Sequence, residues 1–149
     1  MTQRLPDKLK FDQRRYQQIL LNLLSNAVKY SNQGMIIVKP LIILNNDGEF
    51  VLRTAVQDPG IGLTEQEQEK IFTPFALLNN ERRKQQTHCT TGIGLSICKQ
   101  ICLKLGGDLT VNSEIGHGSV FTFSMSVSII EEEKKRQKKA KKPKRSNDS

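Results

Sequence analysis

From Arg14 to about Ser31 the apolar side chains fall at Tyr16, Ile19, Leu20, Leu23, Leu24, Ala27 and Val28. A rhythm of threes, fours and ones puts them on one face of a helix. Asp12 supplies an N-cap and Gly34 closes the segment. Residues 1–11 read as a lead-in with a short strand around Leu9 to Phe11. Met35 to Leu44 and Glu49 to Gln57 predict two strands joined by an Asn45-Asn46-Asp47-Gly48 turn, an Asp-Gly hairpin signal. Phe50, Leu52, Thr54 and Val56 alternate with Val51, Arg53, Ala55 and Gln57. Pro40 suits only an edge strand or a bulge. Thr64 to Phe72 predicts a short helix capped by Thr64, with Glu67 completing a capping box. Residues 73–91 show no period, and a long loop in a compact domain is usually functional or disordered. Gly92 to Leu105 predicts a second long helix, stopped by Gly106-Gly107. Asp108 to Ser113 and Gly118 to Ser128 form a last hairpin, with Phe121, Phe123, Met125 and Val127 on one face. The elements together imply an α/β two-layer sandwich, a mixed β-sheet with three helices on one face.

The 149 residues suffice for one domain with a buried core. Charge divides the chain more sharply than hydropathy does. Residues 131–149 carry nine Lys/Arg against four Asp/Glu, a net +5 of the total +8, which leaves +3 for residues 1–130. The organisation expected is a lead-in over 1–11, a domain over 12–130 and a disordered polybasic tail over 131–149. Such a tail fits an anionic partner (nucleic acid, a charged membrane or nuclear import machinery) or simple solvation. Of the three cysteines, Cys98 and Cys102 lie four apart on a predicted helix, with Cys89 upstream. Without neighbouring histidines or acids they read as reduced helix-face residues of a cytosolic protein rather than metal ligands. No segment approaches the roughly 20 apolar residues of a membrane span. The location implied is cytoplasmic, in a parent protein that is free to be membrane-attached.

Three segments carry candidate chemistry. Asn22, Asn26, Lys29 and Tyr30 share a stripe beside the apolar face of the first helix. They offer amide oxygens, of the kind Mg²⁺ accepts alongside water and phosphate, a cation and an aromatic plane. Asp58-Pro59-Gly60-Ile61-Gly62 follows a strand and permits close backbone approach to a ligand. Thr91-Gly92-Ile93-Gly94-Leu95-Ser96 opens a helix, where free N–H groups and the dipole bind phosphate. Taken singly, the first also fits a solvated face and the second an ordinary turn.

In this order the segments resemble the nucleotide site of the GHKL superfamily, and within it the ATP-binding catalytic domain of histidine kinases, from about Leu5 to Val127. The resemblance implies ATP and Mg²⁺ as cofactors. It implies Asn22, Asn26 and Lys29 as the catalytic group: Asn26 the metal ligand, Lys29 a phosphate contact, with Tyr30 packing near the adenine. Asp58 would accept the adenine amine, Gly60 and Gly62 shape its turn, and Thr91, Gly92, Gly94 and Leu95 hold the phosphates. Asn22 discriminates among relatives. Gyrase, mismatch-repair, heat-shock chaperone, mitochondrial and anti-sigma types carry an acid there, and an amide cannot take a proton from water. Ile71-Phe72-Thr73-Pro74-Phe75 resembles the F box at the base of an ATP lid, which would span about 76–90 and include Arg82, Arg83 and Lys84 as candidate γ-phosphate contacts. Gly106-Gly107-Asp108-Leu109 and Ser113-Glu114-Ile115-Gly116-His117-Gly118-Ser119 match the family's closing hairpin. Thr90 stands where the family has the first glycine of a Gly-x-Gly-x-Gly run. If that position needs positive φ, the strain is ~1–3 kcal/mol.

His88 and His117 both lie outside any helix suited to a phosphoacceptor. The function implied is the catalytic module of a sensor histidine kinase, donating the ATP γ-phosphoryl to a histidine on a separate dimerisation/phosphoacceptor domain. A response-regulator receiver would act downstream. The alternative is a degenerate nucleotide-binding scaffold or interaction module without kinase activity.

Overall fold

The computed structural model describes residues 6–76 and 92–141, with backbone alone for residues 131–133. Thr90, Thr91, Arg82, Arg83, Lys84, His88 and Cys89, with nearly all of the expected lid, lie outside the described residues.

Strand β1 (Leu9–Lys10) leads into helix α1 (Gln13–Lys29), whose N-cap Asp12 accepts a hydrogen bond from the Arg15 N–H at 3.0 Å. Ile19, Leu23 and Ala27 are the buried positions of α1, flanked by half-buried Tyr16, Leu20 and Leu24; Val28, expected on the same apolar face, is exposed instead. The helix stops at Lys29, before Gly34. The hairpin follows as β2 (Ile37–Leu44) and β3 (Phe50–Asp58), with Asn45 Oδ1 accepting from the Asp47 and Glu49 N–H groups in the turn. Helix α2 (Glu65–Lys70) is capped by Thr64, whose hydroxyl accepts the Glu67 N–H at 3.1 Å. Helix α3 (Gly94–Lys104) and strands β4 (Leu109–Glu114) and β5 (Gly118–Ser126) complete the sandwich.

The main sheet runs β2-β3-β5-β4. Pro40 therefore sits on an edge strand, where a missing N–H costs no ladder bond. A mixed sheet was expected; every pairing among the described residues is antiparallel, because two hairpins supply the four strands and β5 returns alongside β3. The inward rows Phe50, Leu52, Thr54, Val56 and Phe121, Phe123, Met125 meet Ile19 and Leu23 of α1 and Cys98 and Cys102 of α3 in one core. Thr54 is polar and fully buried, and the Tyr16 hydroxyl satisfies it at 2.8 Å.

The chain ends are tied together. A short β6 (Ser128–Ile129) pairs with β1, so the lead-in belongs to the fold. Beyond it, in the part of the expected disordered tail that is described, Glu131–Ala140 forms a helix, α4; residues 142–149 lie outside the described residues. Its residues are strong helix formers, and the lysines of its last turn, Lys138 and Lys139, complement the helix dipole. Here these local preferences prevail over the high net charge that points to disorder.

Candidate functional site

Helix α1 is the common wall. At its C-terminal end the Tyr30 carbonyl accepts the Ile61 N–H at 3.3 Å, which docks the turn after β3 onto the helix. Gly60 lies so close that a Cβ there would collide with the Tyr30 carbonyl oxygen and come within 2.7 Å of Asp58 Oδ1. Asp58 is only 7% exposed. Its Oδ1 accepts the Gly60 N–H at 2.9 Å and the Ser31 hydroxyl at 3.4 Å. Gly62 has φ +73°, and a side chain there would strike the Glu114 carbonyl. Gly60 is thus required by contact, and Gly62 by contact and conformation together.

Two turns nearer the N-terminus, Asn22 faces the start of α3. A Cβ on Gly94 would run into the Asn22 amide nitrogen. The Asn22 carbonyl oxygen Oδ1 is buried with no hydrogen-bond partner among the described residues, a state that costs free energy unless something else fills it. The N-cap of α3, Ile93, contributes no side-chain hydrogen bond. Uncapped N–H groups at a helix start are anion donors. Asn26, Lys29 and Tyr30 belong to the stretch of α1 between these two ends, where Lys29 and Tyr30 are half-buried and Asn26 is partly accessible.

The F-box segment closes the same flank. The Phe75 N–H donates to the Gly92 carbonyl at 2.8 Å, joining the two stems that flank the expected lid. Phe75 holds φ +62°, an uncommon conformation for a bulky residue. Phe72 packs edge-on to Phe121 at 6.4 Å and beneath Lys99 Nζ at 5.0 Å. Lys99 also pairs with Asp108 at 2.6 Å and donates to the Leu109 carbonyl at 2.9 Å. That lysine holds the Asp108 carboxyl below its ordinary range, chiefly by hydrogen bonding.

The structure therefore brings Tyr30 to Gly60 and the Asp58 turn and Asn22 to Gly94, with Asn26 and Lys29 on α1 between them; Gly62 packs against the β4–β5 hairpin, Gly92 bonds Phe75, and Leu95 lies on α3 beside Gly94. Thr91 lies outside the described residues. Burial pushes the Cys98 thiol up to about 11 and the Cys102 thiol up to about 12, so both stay protonated near neutral pH. His117 is exposed in the β4–β5 turn beside Glu114. Sequence reasoning missed Ser31, Gln68 and Lys99, whose partners are distant in the chain or set by the local turn.

The family described as histidine kinase-, DNA gyrase B-, and HSP90-like ATPase matches residues 11–129. A hybrid signal transduction histidine kinase B of Dictyostelium discoideum is 39% identical over 79% of this chain and 6% of its own length. The aerobic respiration control sensor protein ArcB of Escherichia coli (strain K12) is 36% identical over 87% of the chain and 16% of its own length. The chain thus spans a small fraction of the curated relatives it matches. Among solved structures, full-length ShkA in complex with AMPPNP superimposes with a TM-score of 0.67 at 28% identity, covering 85% of this chain and 24% of that one. The match over residues 11–129, on a fold shared with ShkA in complex with AMPPNP, places this chain in the histidine kinase-, DNA gyrase B- and HSP90-like ATPase family.

Proposed function

We propose that the chain is the ATP-binding catalytic module of a sensor histidine kinase. It holds ATP with Mg²⁺ along α1 and presents the γ-phosphoryl to a histidine on a separate dimerisation/phosphoacceptor domain, with a response-regulator receiver downstream. The observation that carries this reading is the double contact of α1: Tyr30 and Ser31 with the Asp58 turn, Asn22 with the start of α3. From Asn22 to Lys29 the helix advances about 10 Å at 1.5 Å per residue, which keeps its two contacts well apart along α1.

The residues fit that ligand. Asp58 is buried and aligned by Gly60 and Ser31. It accepts an exocyclic amine, whereas guanine would set a carbonyl against it. The N–H groups at the start of α3, from Gly94 and Leu95 beside Gly92, would receive phosphate oxygens. Lys29 adds positive charge, and Tyr30 covers the base. Asn26 offers one amide oxygen to a magnesium ion. The Asn22 oxygen, without a partner among the described residues, would face the phosphates, where water or a metal's hydration shell would satisfy it. The magnesium nucleotide, when bound, supplies the phosphoryl group and charge neutralisation; the protein's part is positioning. Asn22 cannot act as a base toward water, so the triphosphate is held for transfer rather than hydrolysed.

No helix among the described residues is long and apolar enough to cross a membrane, and we place the module in the cytoplasm. The basic segment around α4 suits an anionic partner. Titration with a fluorescent adenine nucleotide, with and without Mg²⁺, tests the assignment. Binding should tighten with the metal, and Asn26→Ala should remove most of that dependence. Transfer of label to a supplied phosphoacceptor domain tests the kinase step. Nucleotide binding without any phosphohistidine would instead make the chain a scaffold.

A further inference from the structure

The turn that carries Asp58, Gly60 and Gly62 is gripped from the side opposite α1. The Ser113 hydroxyl, on β4, accepts the Leu63 N–H at 2.8 Å. It donates to the Gly118 carbonyl at 2.9 Å and meets the Ser119 hydroxyl at 2.6 Å. A hydroxyl has one proton and two lone pairs. With Ser119 donating, Ser113 is therefore saturated. Gln68, on α2, completes the grip, its amide nitrogen donating to the Leu63 carbonyl at 3.2 Å and to the Ser113 carbonyl at 2.9 Å. Both backbone polar groups of Leu63 are thereby fixed. Leu63 itself is 2% exposed, so its N–H has no water to turn to.

We infer that Ser113 and Gln68 are positioning residues that set the base-selecting turn before any nucleotide arrives. The geometry gives the reason. Gly62 fits only because it has no side chain to set against the Glu114 carbonyl, and the Gly116 N–H bonds the Ile61 carbonyl at 3.0 Å. The β4–β5 hairpin is thus a mould for residues 61–63. Ser113 is the side chain that joins mould to turn. Helix α2 has no buried residue of its own, and Gln68 explains why it is held here, since this short helix carries one amide to two carbonyls. The turn holds Asp58 at its start, so a shift of Leu63 moves the carboxylate relative to the Tyr30 face of α1. Neither residue needs to touch the nucleotide.

This inference rests on the nucleotide-binding reading, and the test separates the two. In the nucleotide-free full chain, Ser113→Ala should speed amide hydrogen exchange at Leu63 roughly tenfold, the loss of one buried hydrogen bond. With fluorescent ATP and GTP analogues, the same variant should weaken ATP binding by roughly tenfold and narrow the preference for ATP over GTP. Ser113→Thr, which keeps the hydroxyl, should restore both. Val127→Ala, a core truncation just beyond the far end of β5, should lower the melting temperature while leaving the ATP/GTP ratio intact. Gln68→Ala, on a helix with no buried residue, should repeat the Ser113→Ala pattern more weakly and serves if Ser113→Ala fails to fold. Unchanged Leu63 exchange, or an unchanged ATP/GTP ratio in a folded variant whose parent binds ATP, overturns the inference alone. A wild-type chain that binds neither nucleotide overturns the nucleotide-binding reading and, with it, the positioning role of the clamp.

Discussion

The two ends of the site are built on opposite plans. At the Asp58 end the polar groups are satisfied from within the protein: Asp58 Oδ1 by Gly60 and Ser31, Ile61 by Tyr30 and Gly116, Leu63 by Ser113 and Gln68. At the Asn22 end an amide oxygen is buried with no partner among the described residues, and α3 begins without a side-chain cap. A saturated, close-fitting turn suits recognition of a flat base with a fixed hydrogen-bonding edge. Unsatisfied donors and acceptors suit an anion and its counter-ion, which arrive with charge enough to offset desolvation. In the proposed reading, one end discriminates and the other is completed by the ligand.

The largest effect should come from the saturated end. Asp58→Ala should weaken adenine-nucleotide binding by at least about 100-fold, since removing a built-in polar partner forfeits both affinity and selectivity; equilibrium titration reads it. Next in size, Gly62→Val forces a β-branched residue to φ +73° and into the Glu114 carbonyl. It should lower unfolding stability by about 2–4 kcal/mol, read from denaturant midpoints. The open end should behave differently. Asn22→Ala should leave the nucleotide-free chain as stable as its parent or up to about 1 kcal/mol more so, because it deletes an orphaned acceptor, while weakening binding of the magnesium nucleotide. Equal destabilisation by Asn22→Ala and Gly62→Val would erase the contrast between the two ends.

The smallest effect concerns the core beneath both. Cys98 and Cys102 are raised from 9.0 to about 11 and about 12, chiefly by burial. An acid whose folded pKa is raised keeps its proton while the unfolded chain loses it. Stability is therefore whole below pH 9 and declines as pH climbs toward 11 and 12. Melting curves across that window should fall less steeply for Cys98→Ala than for the parent.

Much of this could be read from residue order. The α1 stripe, the Asp12 and Thr64 caps, the Asp47-Gly48 turn and the edge position of Pro40 are local consequences of periodicity, capping and backbone chemistry, and the structure repeats them. The candidate site was legible for a different reason: its residues lie in three short, dense segments. Ser113 was visible within the closing hairpin, but nothing local tied it to Leu63, 50 residues earlier. Nothing in the sequence marked Lys99; the fold set Phe72 beneath it. Helix α4, over Glu131–Ala140, was not foreseen because charge was weighed ahead of helix preference.

Residue order by itself determined the elements, their buried faces and the types of chemical group offered to a ligand, because these depend on neighbours within a few positions. Only the tertiary structure decided that α1 serves two glycine turns at once, which polar groups are satisfied and which stand open. Those outcomes depend on contacts between segments far apart in the chain, where a few tenths of an ångström separate a hydrogen bond from a collision.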